Sequence, residues 1–220
     1  MSQYLPEFDA AYAGEPMMEG LDHVPWNIGE PQPPIAQLID SGDVRGPVLD
    51  AGCGVGETTQ YLAARGFEAV GVDASPNAIG QARESAGSRG VAVEFEVADV
   101  TELSGYDGRF RTVIDSTLFH SMPVEARPAY LAAIARSSTP GAVLHVLVFS
   151  NAAQFPTDQG PKAVGEQELR DAVGAFWTVD DVRPSHITAV LPEEIPVPHE
   201  RDARGRALLP AFLLRAHLPG

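Results

Sequence analysis

Cysteine and lysine are nearly missing from this 220-residue chain: Cys53 and Lys162 each stand alone. A single thiol excludes an intramolecular disulfide and a zinc site built from cysteines. Positive charge is scarce altogether. Against 15 Lys and Arg stand 30 Asp and Glu, for a formal net charge of −15. Such a chain repels polyanions at long range, which argues against nucleic acid or an anionic membrane as a partner. Long apolar runs are absent too, since nothing approaches the roughly 20 residues that cross a bilayer. The opening MSQYLPEFDAAYAGEP is acidic and lacks the basic and apolar regions of a secretion signal. These absences together predict a cytoplasmic protein.

What remains is ordinary for a folded domain, with 44% hydrophobic and 20% charged residues. A chain of this length can remove roughly 70% of its unfolded surface from water, so one domain closes a core unaided. Residues 1–34 are rich in proline and glycine and carry Tyr4, Phe8, Tyr12 and Trp26, which predicts an irregular cap lying over another surface. From Ile35 strand-like and helix-like patterns alternate. PVLD (Pro47–Asp50), EAVGVD (Glu68–Asp73), AVEFEVAD (Ala92–Asp99), FRTVID (Phe110–Asp115) and AVLHVLVF (Ala142–Phe149) read as strands. Thr58–Arg65, Pro76–Ser85, Val124–Arg136 and Glu166–Val173 read as helices between or after them. That alternation implies a mostly parallel sheet with right-handed crossovers. Two further strand-like segments, WTVDDVRPSHITAV and RALLPAFLLRAHL, follow with little helix between them and predict a mixed, partly antiparallel edge.

The most informative stretch is VLDAGCGVGETT, Val48–Thr59, in which Gly52, Cys53, Gly54 and Gly56 follow the strand-end Asp50. Glycines there permit positive φ and let a ligand approach the backbone closely. A dinucleotide site wants glycine at the sixth position from Gly52, and this chain has Glu57, a carboxylate where pyrophosphate would sit. A nicotinamide cofactor is therefore opposed. A nucleoside with a cationic amino-acid arm suits the acids better. Asp50, Asp73, Asp99 and Asp115 each end a strand, and ligands of open parallel sheets bind outside those ends. Asp73, 21 residues beyond Gly52, is placed for ribose hydroxyls. Cys53 in the same turn reads as a small packing side chain, since no partner base is visible beside it.

With these motifs on the page, the chain resembles the class I S-adenosylmethionine-dependent methyltransferases over about residues 35–150. VLDAGCGVG is similar to their first motif, GVDAS to their acidic second-strand motif and VADVTEL to their adenine-contacting one. PWNIGEPQP, DSTLFHSMP and LHVLVFS extend the resemblance to small-molecule methyltransferases, including the mycobacterial heterocyclic toxin methyltransferase group and, more distantly, thiopurine and benzoquinone enzymes. The resemblance implies a Rossmann-like, mostly parallel seven-stranded sheet with an antiparallel edge strand and helices on both faces. A cap of residues 1–34 would cover a methyltransferase domain of residues 35–220. It implies S-adenosyl-L-methionine as cofactor, held by Asp50, Gly52, Cys53 and Gly54, by Asp73 with Ala74, and by Asp99 and Val100, with Trp26 and Gly29 closing over it. Asp115 would lie near the methionyl end. The N-terminal segment of such enzymes often carries aspartate where this chain has Asn27.

The expected acceptor is a hydroxyl, or a ring nitrogen, of a small heteroaromatic or phenolic compound, with detoxification as the implied role. Two alternatives stay open: a thiol acceptor and a non-catalytic S-adenosylmethionine-binding protein. His120, five residues past Asp115, is the candidate base for a hydroxyl. The acceptor wall is expected from Tyr12, Met17, Met18 and Trp26, from Phe119, His120 and Met122, from Phe155, and from a flap over Leu191–Arg206. His145 sits within an apolar strand as a further candidate. The six histidines form no ligand spacing, so no metal is expected, and the assembly is expected to be a monomer or homodimer.

Overall fold

The computed structural model describes residues 5–16, 23–153, 162–192 and 200–220. Met17, Met18, Phe155 and residues 193–199 of the expected flap lie outside the described residues. Five strands follow the alternation expected: β1 Val48–Ala51, β2 Ala69–Asp73, β3 Glu94–Val97, β4 Phe110–Ser116 and β5 Ser138–Phe149. Two more, β6 Thr178–Ala189 and β7 Ala207–His217, complete one sheet in the order β3-β2-β1-β4-β5-β7-β6. The pairs from β3 to β5 are all parallel. β7 runs antiparallel to both neighbours, so the reversed strand lies one place in from the edge and β6 forms the rim. Rim position suits the Pro184 of β6, because an edge strand can lack one ladder donor.

The helices are α1 Leu5–Tyr12, α2 Pro33–Ser41, α3 Glu57–Ala63, α4 Pro76–Arg89, α5 Arg127–Ser137 and α6 Glu166–Gly174. Alternate strand residues point to opposite faces, and each face has its own core. Leu49, Val113 and Val146 meet Tyr130, Leu131 and Ile134 of α5 and Leu169 of α6 on one side. Val48, Ile114 and Leu147 meet Ile35 and Leu38 of α2 and Leu62 of α3 on the other. Burial on both faces explains why β1 and the second half of β5 are buried without alternation.

One element departs from the sequence expectation. Residues 5–12 form a helix, α1, where an irregular cap was expected. An eight-residue helix is marginal alone, and this one rests against α4. The Asp9 carboxylate accepts hydrogen bonds from Ser75 and Asn77, and Gln81 donates to the Tyr12 carbonyl. Such support comes from residues more than 60 positions away, so local patterning carries no trace of it.

Candidate active site

The site forms where β1, β2 and β4 end. Val72 O accepts the Cys53 N–H, so the turn after β1 is pinned to β2. Gly52 and Gly54 adopt φ of +68° and +54°. A Cβ on Gly52 would stand 2.9 Å from a Leu118 methyl, and one on Gly54 would stand 2.7 Å from the Tyr12 hydroxyl. Both positions therefore need glycine for conformation and for space.

Asp73, the last residue of β2, accepts the Gly54 N–H at 2.9 Å with one oxygen and the Ser75 N–H at 2.9 Å with the other. Burial pushes its pKa up, against the pull of those N–H groups. Asp50 is fully buried. One of its oxygens accepts the Thr59 hydroxyl at 2.6 Å, while Oδ1 is buried with no partner. Burial raises the Asp50 carboxyl to about 7. Asp99 accepts both the backbone N–H and the hydroxyl of Thr101, at 2.9 and 2.6 Å.

A cavity of about 640 Å³ opens over Asp73 and Asp99, within the ~300–1,000 Å³ of small-molecule sites. Gly52, Asp73, Ala74, Asp99 and Val100, all expected to bind cofactor, line it together with Tyr12 and Trp26. A smaller, more polar recess of about 70 Å³ adjoins it and is lined by Asp50, Cys53 and Gly54, among others. The two spaces share Tyr12, Trp26, Gly52 and Thr117, which form a neck between them. Among the described residues no Lys, Arg or His lines either space. Burial also keeps the Cys53 thiol protonated, so its place in the recess carries no thiolate chemistry.

Other expected residues are not brought to this site. His120 is 2% exposed, and its Nδ1 accepts the Phe149 N–H at 3.2 Å, so the ring lies in the core behind the cavity wall. Burial, reinforced by Arg127, pushes its pKa down to about 3. Phe119 is fully buried beneath the Arg127 guanidinium. His145 is buried in β5 and held down to about 4 by burial. Asp115 turns into the core, where it accepts the Tyr130 hydroxyl at 2.8 Å and the N–H groups of Leu118 and Phe119 at 2.9 and 3.2 Å. Gly29 lines neither space. Conversely, Phe8, Thr101, Thr117, Leu118, Ser121 and Glu125 line the larger cavity without having been singled out. Phe8 left a signal in the sequence as one of the cap aromatics, and Thr101 as the second residue after an aspartate that invites an Asx turn.

The glycine cradle, the strand-end acids and this sheet order define a class I S-adenosylmethionine-dependent methyltransferase, and the chain belongs to that family. A methyltransferase-domain family model matches residues 48–141. The 2-heptyl-1-hydroxyquinolin-4(1H)-one methyltransferase of Mycobacteroides abscessus is 52% identical over 183 residues, 83% of this chain and 81% of that one. A solved structure from work on the conversion of a disulfide bond into a thioacetal group during echinomycin biosynthesis superposes with a TM-score of 0.84. It is 34% identical, and the match covers 98% of this chain and 93% of the other. The Burkholderia thailandensis 1,6-didemethyltoxoflavin-N1-methyltransferase, at 22% identity, shares the fold with a TM-score of 0.63 over 86% of this chain and 78% of that one. The protein is an enzyme, and its cofactor is S-adenosyl-L-methionine. The site fits that cofactor: Asp50, whose Oδ1 is a buried acceptor without a partner, lines the recess, and Gly52 lines both spaces at the neck.

Proposed function

We propose that this enzyme methylates a hydroxyl on a small heteroaromatic ring of the hydroxyquinolinone type. The observation that carries the reading is the 52% identity to a methyltransferase named for such a compound. The larger cavity suits the nucleoside, with Asp73 and Ala74 at the ribose and Asp99 and Val100 at the adenine. The recess suits the cationic amino-acid arm, with Asp50, Gly52, Cys53 and Gly54 around it. The described part of the segment before residue 35 acts as a cap, supported by Tyr12 and Trp26 at the neck and by the Val190 N–H held on the Pro25 carbonyl.

When bound, the cofactor supplies a methyl on a positively charged sulfur, already activated toward displacement. The chain's own task is then alignment and exclusion of water. Tyr12, Trp26 and Thr117 at the neck orient the acceptor. The proton of the acceptor hydroxyl leaves to solvent, because a hydroxyl on a ring nitrogen conjugated to a carbonyl ionises far more readily than an alcohol. A neutral, buried His120 fits that economy and does not serve as the base. A general base contributes about 10²–10⁴-fold. His120→Ala is therefore expected to lose less than about tenfold in rate between about pH 6 and 8.

A second reading has its own support: the solved structure at 34% identity comes from chemistry at sulfur. The purified enzyme should be given S-adenosylmethionine with a 1-hydroxyquinolin-4-one, the same ring without the hydroxyl, and an aryl thiol, with products read by mass spectrometry. An O-methyl product from the first alone supports the proposal. Methylation of the second moves the acceptor from the N-hydroxyl to another atom of the ring system, and preference for the thiol assigns sulfur.

A further inference from the structure

The cavity wall contributed by α1 is tied to α4 through the Asp9 carboxylate, with Gln81 on the Tyr12 carbonyl as a second tie. Phe8 and Tyr12 both line the larger cavity, yet the helix that carries them is only eight residues long. Between those aromatics, Asp9 points toward the start of α4. Its Oδ1 accepts the Ser75 hydroxyl at 2.6 Å and the Asn77 N–H at 3.1 Å, and its Oδ2 accepts the Asn77 side-chain amide at 3.0 Å. The same amide reaches the Asp9 carbonyl at 3.4 Å.

Ser75 is also the N-cap of α4, accepting the Ala78 N–H at 3.0 Å. Its own N–H donates to Asp73, whose other oxygen holds Gly54. A continuous hydrogen-bonded path therefore runs from Asp9 through Ser75 and Asp73 to the glycine turn. Phe8 in turn meets the Trp26 ring edge-on, with centroids 6.0 Å apart. Beyond α1, residues 13–16 form no helix or strand, and a turn there closes the helix with the Glu15 N–H on the Ala10 carbonyl.

We propose that Asp9 is a positioning residue, a latch that holds α1 across the cofactor site and ties its closure to Asp73. The proposal rests on the reading that the two cavities hold the cofactor. An eight-residue helix released from its anchor frays, and a cap that frays lets the ligand escape. The latch therefore acts on dissociation, because the groups that meet the ligand first are unchanged.

The test is binding of S-adenosylhomocysteine to the full-length protein, by calorimetry and by stopped-flow tryptophan fluorescence. Asp9→Ala should weaken binding about tenfold, as loss of a capping carboxylate with several charge-assisted hydrogen bonds implies, with most of the change in the off-rate. Asp9→Asn keeps an acceptor for Ser75 and should recover part of the loss. Equal affinity and off-rate in Asp9→Ala and wild type, within about twofold, would overturn the latch while leaving the cofactor site intact. So would a loss carried entirely by the on-rate. Absence of binding by wild type would instead overturn the site assignment, and the latch with it. Should Asp9→Ala not fold, Asn77→Ala removes the amide arm alone; a faster off-rate supports the latch, and an unchanged one overturns it.

Discussion

Two turns stand side by side at the carboxyl ends of the central strands, one after β1 and one after β4, where Ala51 and Asp115 are register partners. They reach similar backbone geometry by opposite means. The first uses glycine, with Gly52 at φ +68°. The second places Thr117, a β-branched residue, at φ +81°. For a side chain of that kind the left-handed region costs about 1–3 kcal/mol. The surroundings hold it there: Thr117 N–H donates to Leu147 O, Ser121 donates to Thr117 O, and Asp115 gathers the N–H groups of Leu118 and Phe119. One turn is encoded in its own residues. The other is imposed by its neighbours, and the aspartate that imposes it has no oxygen left for a ligand.

The contrast can be broken most severely at Asp115. Asp115→Ala strands two backbone donors and the buried Tyr130 hydroxyl, each costing about 1–3 kcal/mol, so urea unfolding should show a loss of several kcal/mol. A loss below about 1 kcal/mol would mean that the second turn holds itself. Gly52→Ala attacks the first turn. It adds a Cβ in a conformation alanine avoids, 2.9 Å from Leu118, at the neck between the two spaces. Binding of S-adenosylmethionine by calorimetry should weaken at least about tenfold, with a stability loss of roughly 1–2 kcal/mol. The smallest effect is expected from Thr117→Gly. Relief of strain and added freedom in the unfolded chain oppose each other, so the unfolding midpoint should shift by less than about 1 kcal/mol equivalent. A large destabilisation there would show that the threonine side chain itself anchors the turn.

The same contrast marks where sequence reasoning succeeded. Strand alternation, the glycine turn and the acids after β2 and β3 were legible because each is written within a few residues. Glu57 weighed against a dinucleotide for the same local reason. His120 was misplaced because proximity to a strand end says nothing about which way a side chain turns. Here the backbone of Phe149, 29 residues later, captures its Nδ1. Asp115 looked equivalent to Asp73 in sequence, and the Tyr130 hydroxyl on α5 together with the Leu118 and Phe119 N–H groups distinguishes them. Helix α1 went unread because its anchor lies on α4.

Asp50 shows the division most finely. Its type and place at the end of β1 follow from the chain, but its free oxygen exists only in the folded state. Thr59 satisfies one oxygen and packing seals the other, which lifts the carboxyl to about 7. The sequence by itself determined the alternating α/β architecture, the cofactor class and the glycine cradle, because period and φ preference are local properties. Tertiary structure alone decided which acids face the cavity, which histidines vanish into the core and how the N-terminal helix is held. Those outcomes depend on burial and on hydrogen-bond partners supplied by distant segments.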